Sequence, residues 1–352
     1  MDKKQIDHFS KTGEADPDPT AASRKQDHIE LAFASQVAGG EIDPRFYYEP
    51  LLSAHPTSEK MEIDFLGKQM ALPMWVSSMT GGTAKARTIN HNLARACGEF
   101  GLGMGLGSCR SLLYSDEYLP DFAVRQYIGP DFPLFANLGV AQVEELLDQK
   151  EEQRIIELIG KLKADGLIVH VNPLQEWLQP EGDRFRKAPI TTIREVIVKL
   201  PDVPLIVKEV GQGMGYESLK QLFQLPLAAV DFAANGGTNF SKLELMRSDP
   251  LRKKVYEPLA RIGHSAADMV NMTNQLVAEL GDGMQCRQVI VSGGVRDFLD
   301  GYYYINKLTI PAVYGQASGF LRHAQGDYQE LRDYVTTQMQ GLQLANAYLK
   351  VR

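Results

Sequence analysis

The length, composition and charge of the chain limit what it can be. Its 352 residues are 44% hydrophobic and 23% charged, which fits a globular protein with one α/β barrel or two ordinary domains. A net charge of -7 argues against nucleic-acid binding, because no excess of lysine and arginine is present to neutralise a phosphate backbone. The cysteines Cys97, Cys109 and Cys286 are odd in number and widely spaced, so we expect reduced thiols. No segment is typical of a signal peptide or a membrane span, so we expect a cytoplasmic protein.

The N-terminal region is polar and contains two Asp-Pro pairs, so residues 1 to 23 are predicted to form a mobile arm. A helix is predicted to start at Ser23, with Ser23 and Gln26 forming a capping box. A basic cluster on this helix could bind a diphosphate through charge-assisted hydrogen bonds, and a solvated basic turn is the alternative. The cluster consists of Arg24, Lys25 and His28.

Eight apolar runs separated by mostly helical stretches predict a (β/α)8 barrel, with a doubly wound open sheet as the alternative. These runs are residues 73 to 79, 102 to 107, 133 to 139, 167 to 171, 203 to 210, 227 to 233, 288 to 292 and 311 to 314. A hairpin strand over 61 to 65 is expected to cover one end, and helices are predicted over 84 to 100 and 143 to 162. Because nearly every run ends in glycine or a polar residue, as active-site loops require, we favour a single barrel domain over residues 24 to 352.

The fourth run ends in the most informative group of polar side chains. They lie at the rim where enzymes built on parallel strands hold their chemistry, although a polar turn with a satisfied histidine is the other interpretation. The group consists of His170, Asn172, Gln175 and Glu176. Lys208 ends the fifth run inside apolar sequence, where a cation needs a partner and could face the electron-rich edge of a reduced flavin.

The last three runs end in glycine-rich loops that could hold a phosphate, because glycine lets backbone N–H groups approach a ligand. These loops are Gly236-Gly237-Thr238, Ser292-Gly293-Gly294 with Arg296, and Gly315-Gln316-Ala317. A flavin mononucleotide (FMN) would fit this cradle, with Met79, Thr80 and Asn137 on the opposite side of its ring.

Taken in order, the motifs resemble those of the type 2 isopentenyl diphosphate isomerases, which are FMN- and magnesium-dependent barrels. The resemblance covers roughly residues 23 to 325, and its most specific part is the stretch from His170 to Glu176. The other matching motifs are Arg24-Lys25 with His28, Met79-Thr80-Gly81-Gly82, Gly107-Ser108 with Arg110, Asn137-Leu138-Gly139, Val207-Lys208-Glu209, and the first two of the glycine loops.

The resemblance implies interconversion of isopentenyl and dimethylallyl diphosphate by a 1,3 proton shift, with FMN reduced by NADPH as the acid/base group. Substrate contacts would come from Arg24, Lys25, His28, Ser108, Arg110, His170, Asn172 and Gln175. Flavin contacts would come from Ser78, Met79, Thr80, Ser108, Asn137, Lys208, Thr238, Gly293, Gly294, Arg296, Gln316 and Ala317. Gln175 near the allyl carbons and Lys208 would be catalytic, and Glu176 would help bind Mg²⁺, which prefers oxygen ligands. A homo-oligomer, tetramer or octamer, is also implied, and we expect the Arg24 segment to close the pocket.

The sequence departs from the family pattern at positions that we interpret as altered packing and a modified flavin-phosphate loop. These are Cys109, Phe240, Ile262 to Ala266, Asp297-Phe298 and Tyr302 to Tyr304, whereas Glu244, a second carboxylate on the magnesium side, is retained.

Two other classes of function stay open. One is an FMN-dependent oxidoreductase of the hydroxyacid-oxidase type with His264 as its base, and the other is a protein that binds FMN or a prenyl diphosphate without catalysis.

Overall fold

The computed structural model describes residues 21–57, 61–78 and 84–352, which fall into two compact units. The described part of the first unit, residues 21–46 with Arg352, contains the exposed helix Ala21–Leu31 and a 3₁₀ turn, Gly39–Glu41. The prediction that the helix starts with a capping box at Ser23 is wrong. The helix already includes Ala21 and Ala22, and alanine has the highest helix propensity, so Ser23 lies inside the helix. The predicted arm over residues 1 to 23 lies almost entirely outside the described residues.

The second unit, residues 47–351, is built on a closed barrel of eight parallel strands, which confirms the predicted fold and excludes the open sheet. The strands, here named β1 to β8, are Met74–Val76, Gly103–Gly105, Leu134–Gly139, Gly166–His170, Leu205–Lys208, Ala229–Asp231, Val289–Ser292 and Ala312–Gln316. The circle closes where β8 pairs with β1, Gln316 lying opposite Val76.

Helices connect the barrel strands and follow the last one. They are Ala84–Phe100; Leu119–Phe122 and Arg125–Ile128; Val140–Asp148 and Gln153–Leu162; Pro173–Leu178 and Pro189–Lys199; Tyr216–Phe223; Phe240–Arg247, Pro250–Tyr256 and Ala266–Leu280; Phe298–Lys307; and Ser318–Ala324 and Tyr328–Tyr348. Short 3₁₀ turns span Arg110–Leu113, Glu257–Arg261 and Gly281–Gly283, and two further short strands span Phe46–Tyr48 and Leu349–Val351. Among the helices described, none is both long enough and apolar enough to span a membrane.

The single helix predicted over residues 143 to 162 is wrong, because the segment forms two helices. Lys150 has a positive φ of 60°, and its N–H donates to the carbonyl of Leu147 while that of Glu151 donates to Leu146. This pair of bonds is a Schellman motif, which ends the first helix. The motif usually contains glycine, so a lysine in its place gave no signal in the sequence.

A hairpin closes the amino-terminal end of the barrel, as the sequence predicted. Its strands are Ile63–Phe65 and Lys68–Met70, and Phe65 is fully buried in the core. The N–H of Leu66 donates to Oε1 of Gln288, which precedes β7, and Nζ of Lys68 lies 2.7 Å from Oδ1 of Asp165, which precedes β4. The carboxyl-terminal end of the barrel is therefore the end at which the loops can form a site.

The barrel interior changes from apolar to polar toward this open end. Side chains two residues apart on a strand point to the same side, so a strand with one residue facing the barrel interior has another two positions later. The inward residues near the strand starts are apolar and belong to the core: Trp75, Phe135, Ile168, Ile206, Ala229, Ile290 and Val313. Two residues further along lies what we call the polar ring: Ser77, Gly105, Asn137, His170, Lys208, Asp231, Ser292 and Gly315.

Candidate active site

The polar ring places charged and polar groups next to each other across neighbouring strands. His170 on β4 is the register partner of Lys208 on β5, and Lys208 is the register partner of Asp231 on β6. Lys208 is 7% exposed and Asp231 is fully buried. Nζ of Lys208 donates to the carbonyl oxygen of Glu209 at 2.6 Å. Lys208 therefore has a backbone carbonyl as a hydrogen-bond partner and the carboxyl group of Asp231 on the adjacent strand.

His170 is oriented by Asn137 on the adjacent strand. Nδ2 of Asn137 donates to the carbonyl oxygen of Leu106 at 2.9 Å, so its Oδ1 faces Nδ1 of His170 at 2.8 Å. Nδ1 must therefore donate, which leaves the Nε2 lone pair free in the neutral ring. Burial, and secondly the charge of Lys208, lower the pKa of His170 to about 3, so the imidazole is neutral near pH 7.

The loop after β4 brings three predicted residues into one hydrogen-bonded network. Nδ2 of Asn172 donates to Oε1 of Gln175 at 3.0 Å and to Oε1 of Glu176 at 2.9 Å. Nε2 of Gln175 lies 3.5 Å from Oε1 of Glu244, a buried residue in the helix after β6. Asn172, Gln175 and Glu176 thus meet a carboxylate from the helix Phe240–Arg247.

Asp183 belongs to this region and was not found from the sequence. Its N–H donates to Oε2 of Glu176 at 2.7 Å, and its Oδ2 lies 2.8 Å from Nη1 of Arg110 and 2.6 Å from Nε2 of Gln142. Asp183 lies seven residues beyond Glu176 in an irregular loop, so no periodic pattern in the sequence marks it. The predicted contact residue Arg110 is therefore paired with a carboxylate, whereas Ser108 is exposed.

Cys109 has a structural role between Ser108 and Arg110. Its N–H donates to the carbonyl oxygen of Asn137 at 2.8 Å, and its buried thiol lies 3.3 Å from the carbonyl oxygen of Gly107. Burial raises the pKa of the thiol to about 12, so the thiol is protonated at neutral pH. This agrees with the interpretation of this family departure as altered packing.

The glycine loops line a cleft of about 360 Å³ beside the polar ring. Gly293 has a φ of 85°, and a Cβ atom there would overlap the carbonyl oxygen of Ala234. Gly236 has a φ of 121°, and a Cβ atom there would lie 3.0 Å from Cα of Gly294. These glycines are required because the two loops pack against each other. The other predicted flavin contacts that line the cleft are Ser78, Lys208, Thr238, Arg296, Gln316 and Ala317.

Two hydroxyl groups fit a polar ligand in this cleft. The Oγ atoms of Ser77 and Ser78 are buried, and they have no hydrogen-bond partner among the described residues. Buried hydroxyl groups are normally satisfied, so these two can contribute bonds to a bound molecule. Met79 and Thr80, predicted to contact the flavin ring, lie outside the described residues.

The loop after β7 and the end of β8 are held by specific contacts. Nε of Arg296 lies 2.9 Å from Oδ2 of Asp300, and Asp297 caps the helix Phe298–Lys307 by accepting from the N–H of Asp300. Gln316 accepts from the hydroxyl group of Tyr334 at 3.0 Å. The cleft is also lined by Arg322, a cation in addition to Lys208 and Arg296, which we missed because it follows the last predicted motif by several residues.

Some predicted site residues are not placed in this region. Arg24, Lys25 and His28 lie on the exposed helix Ala21–Leu31, in the other compact unit, and their participation stays a prediction. His264, the base in the oxidase alternative, lines a different cleft together with Met214 and Ile262. Among residues 21–57, 61–78 and 84–352, no group of three or more His, Cys, Asp or Glu side chains is arranged to hold a metal ion.

Solved structures with a similar backbone include oxidases of the hydroxyacid type. A mandelate oxidase variant with a monooxide FMN adduct has a TM-score of 0.52 and 16% identity, over 88% of each chain. A flavocytochrome b2 variant with sulfite bound has a TM-score of 0.58 and 14% identity, over 90% of this chain and 78% of that one. At these identities the similarity shows the barrel fold alone.

Sequence comparison is more specific, although no family model matches the chain. The isopentenyl-diphosphate delta-isomerase of Rickettsia peacockii (strain Rustic) is 36% identical over 307 residues, which are 86% of this chain and 85% of the relative. The protein of the same name from Rickettsia prowazekii (strain Madrid E) is 36% identical over 283 residues, 79% of each chain. This chain therefore belongs to the isopentenyl-diphosphate delta-isomerase family.

Proposed function

We propose that this protein interconverts isopentenyl diphosphate and dimethylallyl diphosphate by a 1,3 proton shift, with FMN in the glycine-loop cleft and Mg²⁺ at Glu176. The observation that carries the proposal is the network of Asn172, Gln175, Glu176 and Glu244. It directs an amide and two carboxylates to the open end of the barrel that also holds neutral His170 and Lys208. The residue offered as the base of an oxidase, His264, lines a different cleft.

The diphosphate would be bound at the ends of β2 and β4. Arg110 can form charge-assisted hydrogen bonds with phosphate oxygens, and Ser108, His170 and Asn172 are the other predicted contacts beside it. Arg24, Lys25 and His28 would supply further positive charge when substrate is present. Hydrogen exchange with and without substrate would test this, and unchanged exchange at residues 24–28 would count against their participation.

The chemistry of the donors fits Mg²⁺ better than a transition metal. Glu176 and Glu244 offer carboxylate oxygens, and Mg²⁺ is commonly held by one or two carboxylates together with phosphate oxygens and water. A closed cage of protein ligands is therefore not needed. Glu176 would fix the metal, and its Oε2 is positioned by the N–H of Asp183.

The residues of the glycine-loop cleft also fit FMN, because Ser77 and Ser78 have hydroxyl groups to donate and Arg296 and Arg322 lie on its wall. When bound and reduced, by NADPH in this proposal, the flavin would supply an electron-rich ring for acid/base chemistry. Lys208 would provide positive charge beside an anionic ring. Gln175 would orient the carbon skeleton, and the apolar core below the polar ring would exclude water.

The test is anaerobic incubation of the purified protein with FMN, NADPH, Mg²⁺ and isopentenyl diphosphate, with dimethylallyl diphosphate measured over time. We expect product that requires the flavin, the reductant and the metal, each tested by omission or by EDTA. Product that forms equally well without flavin, or no product in the complete mixture, would overturn the proposal.

We also propose that the protein is cytoplasmic and forms a homo-oligomer, either a tetramer or an octamer. Sedimentation of the purified protein would test the oligomeric state.

A further inference from the structure

Asp231 is a buried carboxyl group that the proposed reaction does not use. It ends β6 within the polar ring, it is fully buried, and it is not among the residues that line the glycine-loop cleft. Buried carboxyl groups are rare unless they are paired. Because Asp231 lies below the cleft, it can act on a bound ligand only through a neighbouring residue.

One oxygen of Asp231 is fixed by the adjacent strand. The hydroxyl group of Ser292 donates to Oδ1 of Asp231, and Oγ of Ser292 accepts from the N–H of Ala233 at 3.0 Å. The single proton of Ser292 is thus committed to Asp231, and is not available for a phosphate. The other oxygen, Oδ2, is buried without a hydrogen-bond partner among the described residues. A buried oxygen without a hydrogen bond lowers the stability of the fold unless a nearby charge compensates for it.

Lys208 is the cation placed to compensate for it. It is the direct register partner of Asp231, and its ammonium group has three protons, of which one is donated to the carbonyl oxygen of Glu209. Burial raises the pKa of Asp231, and the charge of Lys208 acts in the opposite direction. The two groups are therefore neighbours inside the barrel, although no hydrogen bond joins them.

Other titratable groups also lie around Lys208. His170 on β4 is neutral. Glu209 uses Oε2 to accept the N–H groups of Gly211, Gln212 and Gly213, which holds the loop after β5. Burial raises the pKa of Glu209 as it raises that of Asp231, and the charge of Lys208 acts against the rise in both. Asp231 differs in being the register partner of Lys208 and in having a buried oxygen without a hydrogen-bond partner among the described residues.

We propose that Asp231 is a positioning residue for Lys208: its unpartnered oxygen is the counter-charge that holds the ammonium group in place beside the cleft. The part of this that concerns flavin rests on the proposed function, whereas the pairing itself does not. Removal of Asp231 would leave the buried ammonium group without this counter-charge and free to move away from the cleft.

A double-mutant cycle on the protein without flavin tests the pairing. The variants are Asp231→Asn, Lys208→Met and the double variant, and the readout is the midpoint of denaturant unfolding at pH 8. We expect Lys208→Met to lower the midpoint and the addition of Asp231→Asn to restore most of the loss. The restoration should shrink at pH 5, where Asp231 takes up a proton more readily. Additive effects at pH 8, or a double variant no more stable than Lys208→Met, would overturn the pairing.

A second measurement tests the effect on the ligand. The midpoint potential of bound FMN is measured between pH 6 and 8 for the wild-type protein, Asp231→Asn and Asp121→Asn, which removes a buried carboxyl group that does not line the cleft. In Asp231→Asn we expect a lower midpoint potential, because the ammonium group is no longer held beside the ring. Asp121→Asn should keep the wild-type profile. Coincident profiles for wild type and Asp231→Asn would overturn the positioning role. If FMN does not bind at all, the proposed function fails, while the cycle still decides the pairing.

Discussion

Nδ1 of His170 lies 2.8 Å from Oδ1 of Asn137, and this contact decides how the imidazole can meet an anion. In the neutral ring Nδ1 carries the proton, so Nε2 has only a lone pair and cannot donate to a phosphate oxygen. Asn137 cannot turn its amide around without losing the bond to Leu106. His170 can therefore donate to a diphosphate only after taking up a proton.

We predict that diphosphate binding at pH 7 is accompanied by proton uptake at His170. Raising its pKa from about 3 to 7 costs about 5 kcal/mol. One negative charge about 3 Å away, at an effective dielectric constant of about 20, supplies roughly the same energy. Because a diphosphate carries more than one charge, we expect uptake of about 0.5 to 1 proton per site.

Calorimetric titration with magnesium pyrophosphate, in buffers of different ionisation enthalpy, measures this uptake. His170→Gln is the control, since it keeps an amide donor but cannot titrate. Subtracting the proton uptake of His170→Gln from that of the wild-type protein removes the protons exchanged by pyrophosphate itself. Equal uptake by both would mean that His170 stays neutral in the complex.

Arg110 is expected to exchange Asp183 for the diphosphate. The ion pair is 2.8 Å long and about half of the Arg110 side chain is exposed, so it contributes at most about 1 kcal/mol. Asp183→Asn should therefore strengthen pyrophosphate binding by no more than roughly fivefold. Arg110→Ala should weaken it by about 10- to 100-fold, because a hydrogen bond to a charged group is lost. Fluorescence titration can measure both, and weaker binding in Asp183→Asn would show that Asp183 supports the site rather than competes for Arg110.

Arg247 is the ion-pair partner of the buried carboxylate of Glu244, and we expect bound Mg²⁺ to compensate in part for the loss of this partner. Nη1 of Arg247 lies 2.7 Å from Oε2 of Glu244, whose side chain is 3% exposed. Arg247→Met should lower the free energy of unfolding by about 1 to 2 kcal/mol, because a buried carboxylate loses its partner. Magnesium pyrophosphate should then raise the melting temperature of Arg247→Met more than that of the wild-type protein. Arg261→Met, which breaks an exposed pair with Glu257, is the matched control and should change neither value.

The barrel could be predicted from the sequence because each strand is short, apolar and followed by glycine or a polar residue. The same rule located Lys208 and the stretch from His170 to Glu176, since strand ends of a barrel meet at one rim. It could not locate Asp183 or Arg322, which reach the site from a loop and a helix several residues beyond the strand ends. Their positions depend on tertiary packing, which no local pattern encodes.

Asp231 could not be identified as a site residue from the sequence, although it lies in a predicted strand. The run from 227 to 233 contains this one aspartate, and only the pairing of its strand with β5 shows that Asp231 lies beside Lys208. The break at Lys150 was hidden for a different reason, because a lysine occupies a backbone conformation that usually signals itself through glycine.

Gly103 is required by the core rather than by the site. A Cβ atom at Gly103 would overlap Cε3 and Cζ3 of Trp75, a fully buried side chain. We expect Gly103→Ala to lower the free energy of unfolding by about 1 to 3 kcal/mol through overpacking. Gly160→Ala, in the exposed part of the helix Gln153–Leu162 with no atom within 4 Å of the new methyl group, should be neutral or raise stability by about 0.5 to 1 kcal/mol. Chemical denaturation measures both, and equal effects would contradict this packing of β1 against β2.

Gln175 is the side chain whose replacement best separates catalysis from binding. Its amide is oriented from both sides, with Oε1 accepting from Asn172 at 3.0 Å and Nε2 at 3.5 Å from Glu244. Gln175→Leu keeps the approximate volume and leaves Asn172 bound to Glu176, so the metal and diphosphate contacts should persist. We therefore expect a Kd for magnesium pyrophosphate within about threefold of wild type and a kcat lower by about 10²-fold, the loss that a substrate misplaced by about 1 Å can cause. Gln149→Leu, at an exposed glutamine outside the site, should change neither value. Parallel losses of affinity and turnover would assign Gln175 to binding, and unchanged turnover would remove it from the catalytic residues.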